Sequence, residues 1–196
     1  MNQGVMKGKI NIDNALLVFA LESEAADEFE DCNKLICGIG KVNAAYRLTR
    51  AVQCQKPELI INLGSAGSRF FDRGTVVCCT QFVQRDMDVR ALGYEPYQTP
   101  FAEHNIILEY GMQFEGVPDA ICGTGDNFEM CHAASVYKVV DMEAFALALV
   151  ARRESIPFLC LKYISDGADG LAADDWTVQV HRAAGALKKT LYSGVG

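Results

Sequence analysis

Eight short apolar runs punctuate the 196-residue chain, and their length and spacing constrain its fold more tightly than any other feature. They are ALLVFAL (15–21), KLICG (34–38), ELIINLG (58–64), TVVCCTQFV (75–83), NIILEY (105–110), DAICG (119–123), YKVV (137–140) and FLCLKYI (158–164). Each has the length of a buried strand, and several are apolar at both alternating positions, as strands covered on both faces require. Helical patterns lie between them. Residues 42–54 set Val42, Ala45, Leu48 and Val52 along one side, and 143–153 carry Ala144, Leu147, Ala148 and Val150. A last helix, about 174–192, aligns Val180, Ala183, Ala184, Leu187 and Leu191. Strands alternating with helices predict an α/β domain with a largely parallel sheet. At this length a single domain, 1–196, is expected, with residues 1–14 a loose N-terminal extension. The one long loop, RDMDVRALGYEPYQTPFAEH between 84 and 104, is of the kind that carries function.

Charge and composition exclude several classes. With 18 Lys+Arg against 25 Asp+Glu and a formal charge of -7, the chain lacks the basic footprint of a nucleic-acid binder. No apolar stretch approaches the roughly 18 residues of a membrane span. The polar start MNQGVMKGKINIDN lacks the order of a signal peptide, so a cytoplasmic protein is expected. The eight cysteines include no C-x-x-C pair and mostly sit inside apolar runs, which reads as small buried hydrophobes. His104, His132 and His181 have no ligand-like spacing with them, so neither a metal nor a cofactor is expected.

Ligands of parallel α/β sheets bind beyond the carboxyl ends of the strands, so the residues directly after each run are the candidates for chemistry. They are Glu22, Ser23 and Glu24; Gly38, Gly40 and Lys41; Gly64, Ser65, Ala66 and Gly67; Gly125, Asp126 and Phe128; Asp141, Met142 and Glu143; and Ser165 and Asp166. One acid after a strand is most often a helix cap, one aromatic is most often core, and CGIGK lacks the full dinucleotide fingerprint because Asn43 stands where a third glycine belongs. Their joint arrival at one sheet edge argues otherwise. Carboxylates converging on one rim are driven toward different protonation states, which general acid and general base work in one pocket requires. The chemistry this favours is hydrolysis or transfer at an acetal-like carbon, where carboxylates stabilise a developing cation.

The segments ALESEA (20–25), CGIGKVNAA (37–45), INLGSAGS (61–68), RDMDVRALGY (85–94), GDNF (125–128), DMEAFALA (141–148) and ISDGAD (164–169) resemble, in order, those of the nucleoside phosphorylase and nucleosidase superfamily. The resemblance is greatest to its 5'-methylthioadenosine/S-adenosylhomocysteine nucleosidase branch. It implies a three-layer α/β/α sandwich around a mixed, largely parallel and partly closed sheet. It also implies roles: Glu24 as the general base for water, Asp166 as the acid that protonates purine N7 with Ser165 beside it, and Glu143 with the Met142 backbone on the ribose hydroxyls. Phe128 would stack on the purine, Glu129 would follow where backbone reads the base edge, and Ser65 would position water or ribose. By this resemblance Asp166 starts protonated and Glu143 acts ionised.

Phosphorylases of the superfamily surround phosphate with arginines, one shortly before the central GS; here that stretch reads Ile60, Ile61, Asn62, Leu63, and the turn after the first strand is ALESE. Water is therefore the expected nucleophile. The chain departs from its relatives at Lys162, where arginine is frequent, at Glu129, where an apolar residue is common, and at Arg69, Phe70 and Phe71 after GSAGS. The leading expectation is a purine nucleoside N-ribohydrolase that needs no cofactor and binds neither nucleic acid nor membrane. Futalosine hydrolysis, with release of hypoxanthine, and a catalytically silent nucleoside-binding protein are the alternatives; Glu24, Glu143 and Asp166 together count against the silent one. The helix beginning at Met142 and the loop bearing Tyr94, Tyr97 and Phe101 offer more apolar surface than one small domain buries, so a homodimer is expected.

Overall fold

The computed structural model describes residues 12–170 and 172–193, without the side chains of 173–175, 177, 178, 180 and 181. Residues 1–11 of the expected extension, and the side chains of Val180 and His181, lie outside that description. All eight apolar runs form strands: β1 (Ala15–Phe19), β2 (Lys34–Ile36), β3 (Leu59–Gly67), β4 (Val76–Gln84), β5 (Ile107–Glu109), β6 (Asp119–Thr124), β7 (Val139–Asp141) and β8 (Phe158–Asp166). The helices are α1 (Glu22–Ala25), α2 (Lys41–Cys54), α3 (Ala144–Arg153) and α4 (Ala172–Ser193). The single turn of α1 carries no apolar period and is not legible in the sequence.

Two parallel sets of strands make the sheet. One is β2, β1, β3 and β8; the other is β4, β6 and β7, with β5 antiparallel at its edge. The sets meet at two antiparallel seams, β3 with β7 and β4 with β8, so β3, β8, β4, β6 and β7 close on themselves. At the first seam Gly67 pairs with Val140, each at or next to the carboxyl end of its strand. The carboxyl ends of both sets therefore arrive at one rim, which a simple parallel sheet would reach with one set.

Alternation along the strands divides the core in two. Leu16, Val18, Ile60, Phe158 and Cys160 face α2 and α3, against Ala44, Leu48, Leu147 and Ala148. Leu17, Phe19, Ile61, Leu63, Leu159 and Leu161 face the opposite layer, against Phe29, Ala183, Ala184, Leu187 and Leu191. In β4 the register shifts between Cys79 and Gln81, and this bulge lets Cys79 and Phe82 share a side although three residues separate them. Cys37, Cys78, Cys79, Cys122 and Cys160 are buried among these residues, whereas Cys54 and Cys131 are exposed. No helix among the described residues is long and apolar enough to cross a membrane.

The buried stripe of α2 differs from the expected one. Ala44, Leu48 and Val52 face the core, Ala45 is half-buried, and Val42 is 78% exposed. At about 100° per residue, Val42 falls on the far side of a stripe that runs through positions 44, 48 and 52. In α3 Phe145, Ala146 and Ala151 are buried as well as Ala144, Leu147 and Ala148, because this helix is wedged between sheet and α2, while Val150 is only half-buried. Leu48→Ala should cost about 2–5 kcal/mol in a urea unfolding experiment, and Val42→Ala less than about 0.5 kcal/mol; equal costs would contradict this orientation of α2.

Candidate active site

A cavity of about 380 Å³ opens at the shared rim, a size suited to a nucleoside-sized ligand. Glu24, Ser65, Phe128, Glu129, Met142, Glu143, Ser165 and Asp166 all line it. They come from the ends of β3, β7 and β8, from α1, and from the segment after β6.

Glu24 is aimed inward by the turn of α1, while Glu22 on the same turn points out toward Lys34. Its Oε2 accepts the Ala20 and Leu21 N–H groups at 3.1 and 3.3 Å. Its Oε1 accepts the Ser65 N–H at 2.8 Å and the Ser65 hydroxyl at 2.6 Å. The Ser65 oxygen in turn accepts the Trp176 indole N–H at 2.9 Å. Trp176, on α4 and absent from the sequence-based candidates, thereby becomes part of the cavity wall.

At the end of β8, Asp166 is fixed by the Ala168 N–H on Oδ1 at 2.9 Å and by the Ser165 hydroxyl on Oδ2 at 2.8 Å. The neighbouring strand must approach closely here: a Cβ on Gly67 would sit 2.6 Å from Asp166 Oδ1 and 3.1 Å from Val140 Cγ2. Only glycine fits.

Glu143 reaches across to the turn before α2. Gly40, at a φ of 89° that disfavours any side chain, presents its N–H to Glu143 Oε1 at 2.8 Å. The next amide, Lys41, donates to Asp126 Oδ1 at 2.8 Å. The start of α2 is thus taken by two carboxylates, where a helix of this type could otherwise hold phosphate. Burial, and then the nearby Asp141 charge, push the Glu143 carboxyl up to about 8 against the partial opposition of Lys162 and the Gly40 amide. Its surroundings therefore favour the protonated carboxyl until a positive charge arrives beside it. The physical reason is that the cation nearest to it, Lys162, is engaged by Asp141.

That ion pair lies below Glu143, with Lys162 Nζ 2.8 Å from Asp141 Oδ2 and side chains 2% and 1% exposed. Burial opposes the Asp141 charge, yet Lys162 and the hydroxyl and amide donors hold its carboxyl below the usual range. Asp141 in return keeps the buried Lys162 ammonium charged. A lysine inside an apolar strand run is the available signal in the sequence, since such a charge is almost never buried unpaired.

Phe128 stands at the cavity wall, 43% exposed, as a stacking platform would. Next to it Glu129 Oε2 pairs with Arg85 at 3.1 Å, and Arg85 also donates to the Asn127 side-chain oxygen at 2.9 Å. Of the long loop, Arg85 alone lines the cavity, and its side chain is 4% exposed. The two stretches expected to lack arginine, 60–63 and ALESE, do lack it, and the arginine that reaches the cavity from the long loop is neutralised by Glu129. Tyr97 folds back on its own domain, its ring centroid 6.1 Å from that of Tyr137, while Phe101 is 95% exposed.

This arrangement has counterparts. Residues 35–192 match the Phosphorylase superfamily, to which the chain belongs. The 5'-methylthioadenosine/S-adenosylhomocysteine nucleosidase of Bacillus cereus (strain B4264) is 35% identical across 66% of this chain and 65% of its own length. The chain thus spans about two thirds of the curated relatives it matches. The same-named enzyme of Helicobacter pylori superposes with a TM-score of 0.82 at 19% identity, over 94% of this chain and 98% of that one. The futalosine hydrolase of H. pylori superposes with a TM-score of 0.81 at 19% identity, over 93% and 97%. At that identity the two structures establish the fold, a nucleoside phosphorylase-like α/β sandwich.

The raised Glu143 carboxyl has a consequence for stability. An unfolded glutamate titrates near 4.5 and the folded one near 8, so the folded state holds the extra proton between those values. Stability is then full below the unfolded value and falls, by up to about 1.4 kcal/mol per pH unit, as pH rises through the window between the two. Glu143→Gln, which keeps an acceptor for Gly40, should unfold at higher urea than the parent at pH 7.5 and at the same urea near pH 4.5. An equal difference at both pH values would show that Glu143 is not held protonated.

Proposed function

We propose that this protein hydrolyses the N-glycosidic bond of a purine nucleoside, 5'-methylthioadenosine or S-adenosylhomocysteine, with release of adenine. The observation that carries this reading is the convergence of Glu24 with Ser65, Glu143, and Asp166 with Ser165 around one cavity that also holds Phe128. The Bacillus cereus relative, 35% identical, bears the name of that activity. Glu24 accepts a proton from water as the water oxygen bonds to C1' of the ribose. Asp166 gives its proton to N7 while the C1'–N9 bond breaks, so the base leaves neutral. Glu143 and the Met142 backbone hold the ribose hydroxyls. A ribosyl oxocarbenium ion beside Glu143 makes the ionised carboxylate favourable, so a proton held on Glu143 in the free protein is given up to solvent before the cation forms.

Water rather than phosphate is the nucleophile in this reading. The first amides of α2 are occupied by Glu143 and Asp126, and the guanidinium of Arg85 is engaged by Glu129 and Asn127. One observation favours a second substrate class. The futalosine hydrolase of Helicobacter pylori has the same fold, with a TM-score of 0.81. Hydrolysis of futalosine, with release of hypoxanthine, is the second reading. Both put the enzyme in a reducing cytoplasm, in keeping with eight unpaired thiols.

Chromatography after incubation with 5'-methylthioadenosine, S-adenosylhomocysteine, adenosine and futalosine separates these readings. Adenine and a free 5-thioribose, at the same rate with and without phosphate, are expected; ribose 1-phosphate sugars as main product would overturn hydrolysis, and hypoxanthine from futalosine alone would select the second substrate. Glu24→Gln and Asp166→Asn should each lower turnover by about 10²–10⁴-fold while binding persists. A near-parental rate in either variant removes that residue from the mechanism.

The enzyme is further proposed to work as a homodimer whose partner helps close each site. Leu92 and Phe101 on the long loop, and Ile39, Val42 and Tyr46 at the start of α2, stand in solvent on the isolated protomer, with Ile39 also on the cavity wall. Light scattering during size-exclusion chromatography should give the mass of two chains, and Phe101→Ala should weaken binding of 5'-thio nucleosides more than that of adenosine. A fully active monomer at micromolar concentration, or an equal loss for both nucleosides, would overturn the respective half.

A further inference from the structure

Glu143 occupies the position from which a helix is ordinarily capped, yet its side chain makes no bond to the amides of α3. A side chain that caps from that position folds back onto the first turn, which would withdraw it from the cavity. Here the amides are served by other groups. Asp141 Oδ2 accepts the Ala144 N–H at 2.8 Å and the Glu143 N–H at 3.3 Å. The Phe145 N–H goes to Thr124 Oγ1 at 2.9 Å, and the Thr124 hydroxyl donates to Asp141 Oδ1 at 2.5 Å. Lys162, from the far side of the closed ring, compensates the buried Asp141 charge at 2.8 Å. Without it the acid that serves the helix would be an uncompensated buried charge, which proteins tolerate poorly.

We propose that Lys162, Asp141 and Thr124 form a positioning unit that takes over the capping of α3 and so frees the Glu143 carboxyl to meet the ribose hydroxyls of the substrate. The role of Glu143 is that of the functional reading above; the relay through β6, β7 and β8 is specific to these residues. Lys162 and Asp141 are positioning residues, since neither needs to touch the ligand. The charged and titratable groups facing Glu143 are Asp141 from β7, Lys162 from β8, Glu24 from α1 and the Cys37 thiol after β2. Opposite charges at 141 and 162 therefore act on Glu143 in opposite senses, and the loss of kcat/KM at an unmoved midpoint in Thr124→Val is what separates positioning from charge alone.

The Gly40 amide, which donates to Glu143 Oε1, reports the position and charge of Glu143 without any substrate. Its nitrogen resonance, followed against pH, should titrate with Glu143 in the parent protein. In Lys162→Met the midpoint should rise by about one pH unit or more, in Asp141→Asn it should fall by a similar amount, and Lys162→Arg should restore the parent value. The ascending limb of kcat/KM for base release should move with it. Thr124→Val, which keeps both charges, should lower kcat/KM by about 10²-fold through misplacement of Glu143 with an unmoved midpoint. Should Lys162→Met fail to fold, the charge-neutral double variant Lys162→Met with Asp141→Asn, together with Thr124→Val, carries the test. Parent-like midpoints in both charge variants, or parent-like kcat/KM in Thr124→Val, would overturn the proposal. Absence of base release from every nucleoside in the parent would instead remove the functional reading and leave the Gly40 titrations to decide the positioning unit.

Discussion

Asp141, Glu143 and Asp166 meet in one cavity because of the hydrogen bonds that close β3, β8, β4, β6 and β7 on themselves. Two parallel sets running in opposite senses would ordinarily present their carboxyl ends at opposite edges. The seam at Gly67 and Val140 joins them end to end instead. Ser65 from one set and Asp141, Met142 and Glu143 from the other therefore share a rim, with Asp166 beside the seam. The seam depends on the absence of a side chain at Gly67, where any Cβ would strike Asp166 or Val140. Chain closure and site geometry are thus one constraint.

The three acids at that rim are held in three different ways, and the differences suit different work. Glu24 is surrounded by donors: two amides of its own turn, and the amide and hydroxyl of Ser65. Asp166 accepts the Ala168 amide and the Ser165 hydroxyl, both next to its own strand end. Glu143 meets a single amide, and burial pushes it up to about 8. Acids that would repel one another in the same state are kept in distinct surroundings, which is what the proposed uptake of a proton at one point and release at another requires.

Much of this is legible in the sequence. Eight apolar runs become eight strands because buried strands need apolar side chains on both faces, and a run of that kind has few other uses. The candidate residues stand directly after those runs, where the ends of parallel strands place them at one edge. Features that depend on long-range pairing are not legible. Trp176 meets Ser65 across 111 residues, and nothing local marks an indole as belonging to a site. Arg85 sits in a polar loop where arginine needs no explanation, and only the fold brings it against Glu129. Val42 reads as core because an apolar residue in the first turn fits several helical stripes, and packing against α3 selects another one. The surroundings that favour a protonated Glu143 are not legible either, because its charge depends on which cations come near, and Lys162 is already engaged by Asp141.

The indole of Trp176 has a consequence for the order in which the molecule is made. The strands and turns that bear Glu24, Ser65 and Glu143 leave the ribosome well before α4, and domains fold progressively as they emerge. The helix that carries Trp176 also covers β3 and β8 through Ala183, Ala184, Leu187 and Leu191. Until α4 is synthesised, the Ser65 oxygen has no indole donor and Leu159 and Leu161 lack their helical cover. The wall of the cavity and the second hydrophobic layer are therefore completed by the same segment.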